Sequence, residues 1–401
     1  MKKSRHITLP KGFVAAGVTC GLKGSGGKDL AIIAGQEDLA AAMLTTRNQV
    51  VGAPVLHNRA ILPRGCGRVR ALVINSGNSN ACTGKAGLAD ARATAAAAAR
   101  QVGTDARKIL VASTGIIGRR LPMDKIRKGV AAAAKALSRR NDRNVLRAMM
   151  TTDRREKSAV ARLQIGGRKI TIAGIVKGSG MIAPSLATMI GVITTDAAVT
   201  PPALHKALVA AARTSFDAIT IDGDTSTSDT VVLLASGAAG NKSITGGSPG
   251  LGKFGAAVGD LCGALARAVV ADGEGATKVI EVTVCGARSA REAEIAARSV
   301  ANSPLVKCAV HGCDPNWGRI AMALGKSAAN VRADKLSVRI GAAMVFSRGR
   351  PRRFEAHRVA RYMRGKTVKI ICDLGLGKGA YTALTCDLSR DYVTINAYYH
   401  T

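Results

Sequence analysis

The chain has 401 residues, of which 47% are hydrophobic and 21% charged, the balance of an ordinary globular protein able to bury one large core or two of usual size. That balance excludes a disordered chain and a small disulfide-stapled scaffold. Fifty-nine Lys and Arg against 26 Asp and Glu leave a formal charge of +33, which raises nucleic acid as a partner, but aromatics are only 3% and no nucleic-acid motif accompanies the charge. We therefore expect no nucleic-acid partner. The basic run "SRGRPRRFEAHRVARYMRGK" spaces Val359, Tyr362 and Met363 as one helix face and reads as a solvated basic helix.

No uninterrupted apolar stretch approaches the roughly 18 residues that would span a bilayer, so no membrane is expected. Lys2, Lys3, Arg5 and Lys11 precede "GFVAAGVTCGL", which resembles a leader only superficially: glycines interrupt it and no small-residue cleavage site follows. Nine cysteines without a CxxC pair read as buried thiols in a reducing cytoplasm. The spacing in "CAVHGC", Cys308 to Cys313 around His311, matches no common zinc pattern, and no metal is expected.

In chain order, "RALVINSGNSNACTG" predicts a buried strand over 71–74 running into a polar loop, and residues 86–101 predict an alanine-rich helix. "KILVASTGIIGRRL" repeats the strand-then-loop pattern, and "DKIRKGVAAAAKALSRRND" predicts a second helix with apolar and basic faces. Residues 188–194, "TMIGVIT", predict a core strand, followed by helix "PPALHKALVAAARTSF", strand "AITI", loop "DGDTSTSD" and strand "TVVLLAS". A glycine-rich surface loop over 236–255 then leads to a long helix ending near "DGEGATK", and "DYVTINAYYHT" predicts a last strand over 392–395. Strands and helices intermingle, which places the chain in the α+β (mixed α/β) class.

Three motif-like stretches carry no function. "LGKS" has Ile320 where a phosphate loop needs glycine, "DGDTSTSD" has Thr227 and Leu233 at the sixth and twelfth positions of a calcium loop, and no strand precedes "GLKGSGG".

The stretch "KGSGMIAPSLATM" sets a flexible, hydroxyl-bearing loop directly before a core strand. Were Thr188 to attack the carbonyl of Ala187, the peptide would become an ester, water would release the upstream piece, and Thr188 would keep a free α-amino group. Such an amine titrates near about 8, close enough to neutrality to serve as a general base.

That stretch resembles the self-cleavage segment of the ornithine acetyltransferase family, also called glutamate N-acetyltransferase, of arginine biosynthesis. "NSGNSNACTG", "STGIIG", "TTD", "DGDTSTSDTV", "DGEGATK", "DPNWGRI" and "INAYYHT" agree with the same family in the same order, so the resemblance spans essentially the whole chain. The chain departs at Ser185 and Leu186, where the family often has asparagine and methionine, at Leu44 and Thr45, and after "TTD".

The resemblance implies layered sheets flanked by helices, as in self-processing aminopeptidases, cut into an α chain 1–187 and a β chain 188–401 that assemble as a heterotetramer of two of each. It implies acetyl transfer from N2-acetylornithine to glutamate through acetyl-Thr188, with no cofactor. Thr114 and Gly115 match the oxyanion donors; Thr151, Lys177, Glu274, Asn396 and Thr401 match substrate contacts. Some members also use acetyl-CoA, and no adenine-nucleotide motif decides the matter here. A self-processing aminopeptidase-like hydrolase is the alternative. "DPNWGR", where Asp314 and Arg319 could pair, is assigned to structure.

Overall fold

The computed structural model describes residues 6–183 and 189–398. The chain divides into two compact units, one holding the residues up to 217 and 225–269, the other 218–224 and 270 onward. The junction Ala187–Thr188 lies outside the described residues and falls, by sequence, within the first unit.

The first unit contains β1 (Phe13–Val18), β2 (Leu30–Thr45), α1 (Ala53–Ile61), β3 (Cys66–Asn78), α2 (Gly84–Val102), β4 (Ile109–Ile116), α3 (Met123–Lys135) and α4 (Asp142–Met149). There follow β5 (Lys157–Ile165), β6 (Arg168–Lys177), β7 (Ile190–Thr195), α5 (Pro201–Arg213), β8 (Thr230–Ala235) and α6 (Gly250–Ala271), whose last turn crosses into the second unit. The strand order is β4-β3-β2-β8-β7-β6-β5, with β1 on β2.

This sheet is bent in the middle of β2. Pairing with β3 breaks register between Ala34 and Leu39, and a Cβ on Gly35 would lie 2.3 Å from the Glu37 carbonyl oxygen. One core cluster then draws Ile33, Leu72 and Leu110 from β2–β4 and Ile175, Val192 and Val232 from β6–β8. The two halves of the sheet therefore face each other across a shared core, which α4 enters with Val145, Leu146 and Met149. Alternate residues of β2 point the other way: Leu30 and Ile32, with Val73 and Val111, meet Ala95 and Ala98 of α2 and Ile126 and Val130 of α3. Apolar side chains on both faces suit the two apolar stretches of β2, residues 30–34 and 39–44, on either side of the exposed Gln36 and Glu37. On the opposite side Gly174 of β6 admits Leu261 and Leu265 of α6, where a Cβ would lie 2.8 Å from each. The result is the layered α+β arrangement expected.

The second unit holds β9 (Val279–Ala287), α7 (Ala290–Ala301), α8 (Pro304–His311), α9 (Trp317–Gly325), β10 (Ser337–Ile340), β11 (Ala343–Ser347) and β12 (Arg350–Pro351). α10 (Ala356–Met363), β13 (Thr367–Asp373), β14 (Gly379–Cys386) and α11 (Arg390–Tyr398) complete it. Its sheet order is β12-β11-β10-β13-β9-β14, covered by α7, whose Ala293, Ala296, Ala297 and Val300 pack on Ile280, Val282 and Val284.

Several sequence expectations require correction. Residues 392–395 form part of helix α11, not a strand: Asp391 sits in its first turn, and Thr394 Oγ1 and Asn396 Nδ2 donate to the carbonyls four residues back, at 3.3 and 2.9 Å. "AITI" forms a 3₁₀ turn over Phe216–Ala218 and a single bridge from Ile219 to Leu384. β3 continues past Ile74 through "NSGN", because these polar residues pair with the end of β4. The glycine-rich loop ends at Pro249, since Gly250–Gly255 already belong to α6. Among the cysteines, Cys262, Cys372 and Cys386 are buried, but Cys82 and Cys308 are exposed. Asp314 accepts from Asn316 Nδ2, Asn316 caps α9 by accepting the Arg319 N–H, and the Arg319 guanidinium donates to the Leu305 carbonyl, so Asp314 and Arg319, which could have paired, take other partners; Trp317 stacks on Phe346 at 4.8 Å. Among the described residues one helix, α6, is long and apolar enough by length and composition to cross a membrane; Lys253, Asp260 and Arg267 interrupt it.

Candidate active site

In the first unit the site elements converge where β3, β4 and β6 end. β3 and β4 run parallel, with Ser76 opposite Thr114 and Gly77 opposite Gly115. Gly115 has φ +124°, and a Cβ there would lie 2.5 Å from the Gly77 carbonyl carbon and 2.6 Å from the Asn78 nitrogen, so only glycine allows the two backbones to approach this closely. Polar side chains secure the bulged ends: Ser113 donates to Asn75 Oδ1 at 2.6 Å, Asn75 to the Asn78 carbonyl at 2.8 Å, and Ser76 to the Ala148 carbonyl at 2.6 Å.

Lys177 ends β6 at 3% exposure and donates from Nζ to Thr114 Oγ1 at 3.2 Å. β4 and β6 are far apart in strand order, and only the fold-over of the sheet brings them together. The buried ammonium faces a buried carboxylate. Asp153 Oδ1 accepts from Lys157 Nζ at 2.6 Å and the Gly178 N–H at 2.7 Å, and its Oδ2 accepts from the Thr151 N–H at 3.0 Å. Burial works against the charged form of Asp153, yet the Lys177 and Lys157 ammoniums and the Gly178 N–H hold its carboxyl down at about 2. Asp153 thereby ties the Thr151 backbone to the loop that follows Lys177, and Thr152 Oγ1 bonds Ser179 Oγ at 2.7 Å. A second ammonium, Lys23, donates to the Lys28 carbonyl at 2.7 Å; burial lowers its pKa, with Lys177 pushing the same way.

Thr188 and Ala187 lie outside the described residues. Their neighbour Met189 donates its N–H to Asp229 Oδ1 at 3.1 Å, while its carbonyl accepts from the Thr230 N–H at 3.1 Å. Ile190, next in the chain, pairs with Lys177 on one side and Thr230 on the other. Asp229 is fully buried, and burial raises its pKa well above the usual carboxylate range against the opposing pull of the Met189 N–H, the Ser226 hydroxyl and Lys177.

The second unit carries the other expected contacts. Glu274 is 8% exposed and its Oε2 accepts from Asn396 Nδ2 at 2.9 Å. Helix α11 rests on the turn that carries Glu274: Ser389 Oγ donates to the Gly275 carbonyl at 2.7 Å, and Gly275, at φ +70°, leaves room for the Tyr392 nitrogen, which a Cβ would meet at 2.5 Å. Burial, aided by Asp222, Glu274 and Asp224, pushes the Tyr392 phenol upward. Thr401 lies outside the described residues.

The structure thus brings Thr114, Gly115 and Lys177 together in one unit, with Thr151 bonded through Asp153, and Glu274 with Asn396 in the other. Sequence reasoning missed Asp153 and Asp229. "TTD" and "DGDTSTSDTV" contained them, but neither carboxylate carries a local signal; partners 25 and 40 residues away mark them.

Comparison with known proteins identifies the family. A family model described as the ArgJ family matches residues 14–401. The arginine biosynthesis bifunctional protein ArgJ of Symbiobacterium thermophilum is 46% identical over 400 residues, covering 98% of each chain, and that of Gloeobacter violaceus is 44% identical over 397, again covering 98% of each. The crystal structure of the arginine biosynthesis bifunctional protein ArgJ from Bacillus halodurans is 41% identical with a TM-score of 0.50, covering 51% of this chain and 97% of that one. Matched over nearly its whole length by the family and by such relatives, the chain belongs to the ArgJ family, the acetyltransferase enzymes of arginine biosynthesis that its motifs resemble.

Proposed function

We propose that the chain cuts itself between Ala187 and Thr188 and then transfers acetyl from N2-acetylornithine to glutamate through an acetyl-Thr188 ester. The observation that carries this reading is the 3.2 Å contact from Lys177 to Thr114 at the level of Ile190, two residues beyond Thr188. The solved relative adds support: it is covered over 97% of its length while matching only 51% of this chain, so it is about half as long, as one product of such a cut would be.

In self-cleavage Thr188 Oγ attacks the Ala187 carbonyl, the C–N bond breaks, and the amine departs with a proton; water then hydrolyses the ester and leaves an Ala187 carboxylate. In the first half-reaction the α-amino group of Thr188 takes the Oγ proton as Oγ attacks the acetyl carbonyl. The Thr114 hydroxyl and Gly115 N–H face the oxyanion, whose loss of one donor costs about 10²- to 10³-fold. Collapse breaks the acetyl C–N bond and the proton goes to the leaving amine of ornithine. Glutamate's amine attacks the ester and restores Thr188. Lys177 supplies positive charge for an α-carboxylate or the oxyanion. Thr151, Glu274, Asn396 and Thr401 contact substrate, Glu274 offering negative charge to an ammonium.

The relatives' name, bifunctional, supports a second way of loading Thr188, from acetyl-CoA. Chains 1–187 and 188–401 assemble two and two in the cytoplasm. Denaturing mass analysis tests the cut: two fragments are expected, and a single chain, or a cut and active Thr188→Ala variant, overturns the reading. Assay of N2-acetylornithine with and without glutamate separates the transferase from a hydrolase, whose deacetylation would not need glutamate.

A further inference from the structure

A cavity of about 190 Å³ in the first unit shares no lining residue with the site described above. One wall is a stripe of α5: His205, Val209 and Arg213 are four residues apart and so lie on one face of the helix. The other comes from the end of β2 and the loop after it, with Thr45 and Arg47, and Asp217 is the lining carboxylate. Arg47 and Arg213 are both exposed, so an ion arriving from solvent meets them directly.

The walls are held from behind. Arg47 sits between Thr46 and Asn48, and both neighbours are tied to the loop before β8: Thr46 Oγ1 donates to the Ser226 carbonyl at 2.6 Å and Asn48 Nδ2 to the Thr225 carbonyl at 2.8 Å. Thr45 Oγ1 accepts from Arg59 Nε at 3.1 Å, which leaves the hydroxyl its own proton to donate. Gly65, at φ +68°, lets the His205 ring come close, since a Cβ there would lie 2.7 Å from its Nε2. Burial lowers the His205 pKa, so the ring is neutral at pH 7.

Charge and size narrow what such a space can hold. Two guanidiniums less one carboxylate leave a surplus of one positive charge on the lining. Two guanidiniums at one small cavity repel each other, and an anion between them replaces that repulsion with two attractions. The volume equals that of about six waters at roughly 30 Å³ each, enough for an inorganic oxyanion or a short carboxylate and too little for a nucleotide. The planar fork of a guanidinium matches the oxygens of a carboxylate and of a phosphate alike.

We propose that this cavity is a second small-molecule site, taking a small anion of the carboxylate or phosphate type between the Arg47 and Arg213 guanidiniums, with the Thr45 hydroxyl as a further donor. None of these groups takes part in the acetyl-transfer chemistry, so the site stands whether or not that reading holds.

The test titrates the purified protein by calorimetry with inorganic phosphate and, separately, with succinate, at constant ionic strength, with the uncharged succinamide as control. Saturable binding of at least one anion is expected with a Kd of about 1 mM or tighter, and none of succinamide. Arg47→Gln and Arg213→Gln should each weaken it at least about tenfold, and the double variant should abolish it. Arg350→Gln, which removes an exposed guanidinium from β12, should stay within about twofold of wild type and so separates a site from general surface charge. Arg213→Lys keeps the charge and loses the fork; it should bind severalfold more weakly, and it serves where a glutamine variant fails by circular dichroism to fold. Binding of phosphate alone, of succinate alone or of both identifies the oxyanion and supports the site when the Arg47 and Arg213 variants weaken it. No saturable binding of either anion, binding that survives the double substitution, an equal loss in Arg350→Gln, or wild-type affinity in Arg213→Lys overturns the proposal.

Discussion

Replacing Asp153 with asparagine should cost the first unit stability in a pH-dependent way. The Lys177 and Lys157 ammoniums hold the carboxyl down at about 2 in the folded chain, against 3.8 for an ordinary aspartate, a contribution on the order of 2 to 3 kcal/mol. Because the folded pKa is depressed, that stabilisation is complete above about pH 5 and disappears as pH falls through about 2. The substitution also leaves the Lys157 and Lys177 ammoniums buried beside a neutral amide. Breaking a buried pair from one side costs about 3–5 kcal/mol, so the loss is at least about 2 kcal/mol. For a unit of this size that corresponds to a melting temperature lower by roughly 5–10 °C at pH 7. The assay is calorimetry of wild type and Asp153→Asn at pH 7 and at several values down to 3. The gap between them should narrow as pH falls, since the wild type alone loses the contribution of an ionised Asp153. Equal melting temperatures at pH 7, or a gap that widens in acid, would refute the reasoning.

Gly115→Ala should abolish acetyl transfer by at least about 10²-fold, because its Cβ would sit 2.5 Å from the Gly77 carbonyl carbon at a φ of +124° and force β3 and β4 apart; steady-state kinetics on the folded variant, checked by circular dichroism, decides this. Glu274→Gln keeps an oxygen for Asn396 but removes the charge, so KM for N2-acetylornithine should rise about tenfold or more while glutamate is affected less; equal effects on both would remove Glu274 from ammonium recognition. Fragments 1–187 and 188–401 should co-elute in native size exclusion and part only in denaturant, and their separation in plain buffer would contradict the strand pairing.

What the sequence disclosed depended on whether the controlling physics was local. "MIGVIT" and "TVVLLAS" read correctly as core strands because their neighbours on both faces are apolar, so the run of β-branched residues matches its environment. "YVTI" has the same local propensity and became a helix, since Asn396 reaches Tyr392 one turn back and Glu274, which lies 122 residues earlier. Of the site, the motifs disclosed Thr114 and Gly115, where a strand end needs a close backbone approach. They disclosed nothing of Asp153 or Asp229, because an aspartate in a polar stretch is ordinary until folding buries it. The Lys177–Thr114 contact was equally hidden: it spans 63 residues and exists only because β2 bends.

That bend also bears on what a cut between residues 187 and 188 can do. The junction separates β6 from β7, yet the two strands are antiparallel neighbours joined over six residue pairs, and β8 pairs with β2 over six more. Both pairings cross the proposed cut, and so does the core that sets Leu72 and Leu110 against Val192 and Val232. Breaking one peptide bond removes none of these interactions, whereas separating the pieces would expose strand edges and the whole shared core to water. A new chain end can therefore form at the edge of the buried site without loosening it. The residue that would follow the new end, Met189, is already held through its N–H by Asp229 and through its carbonyl by Thr230.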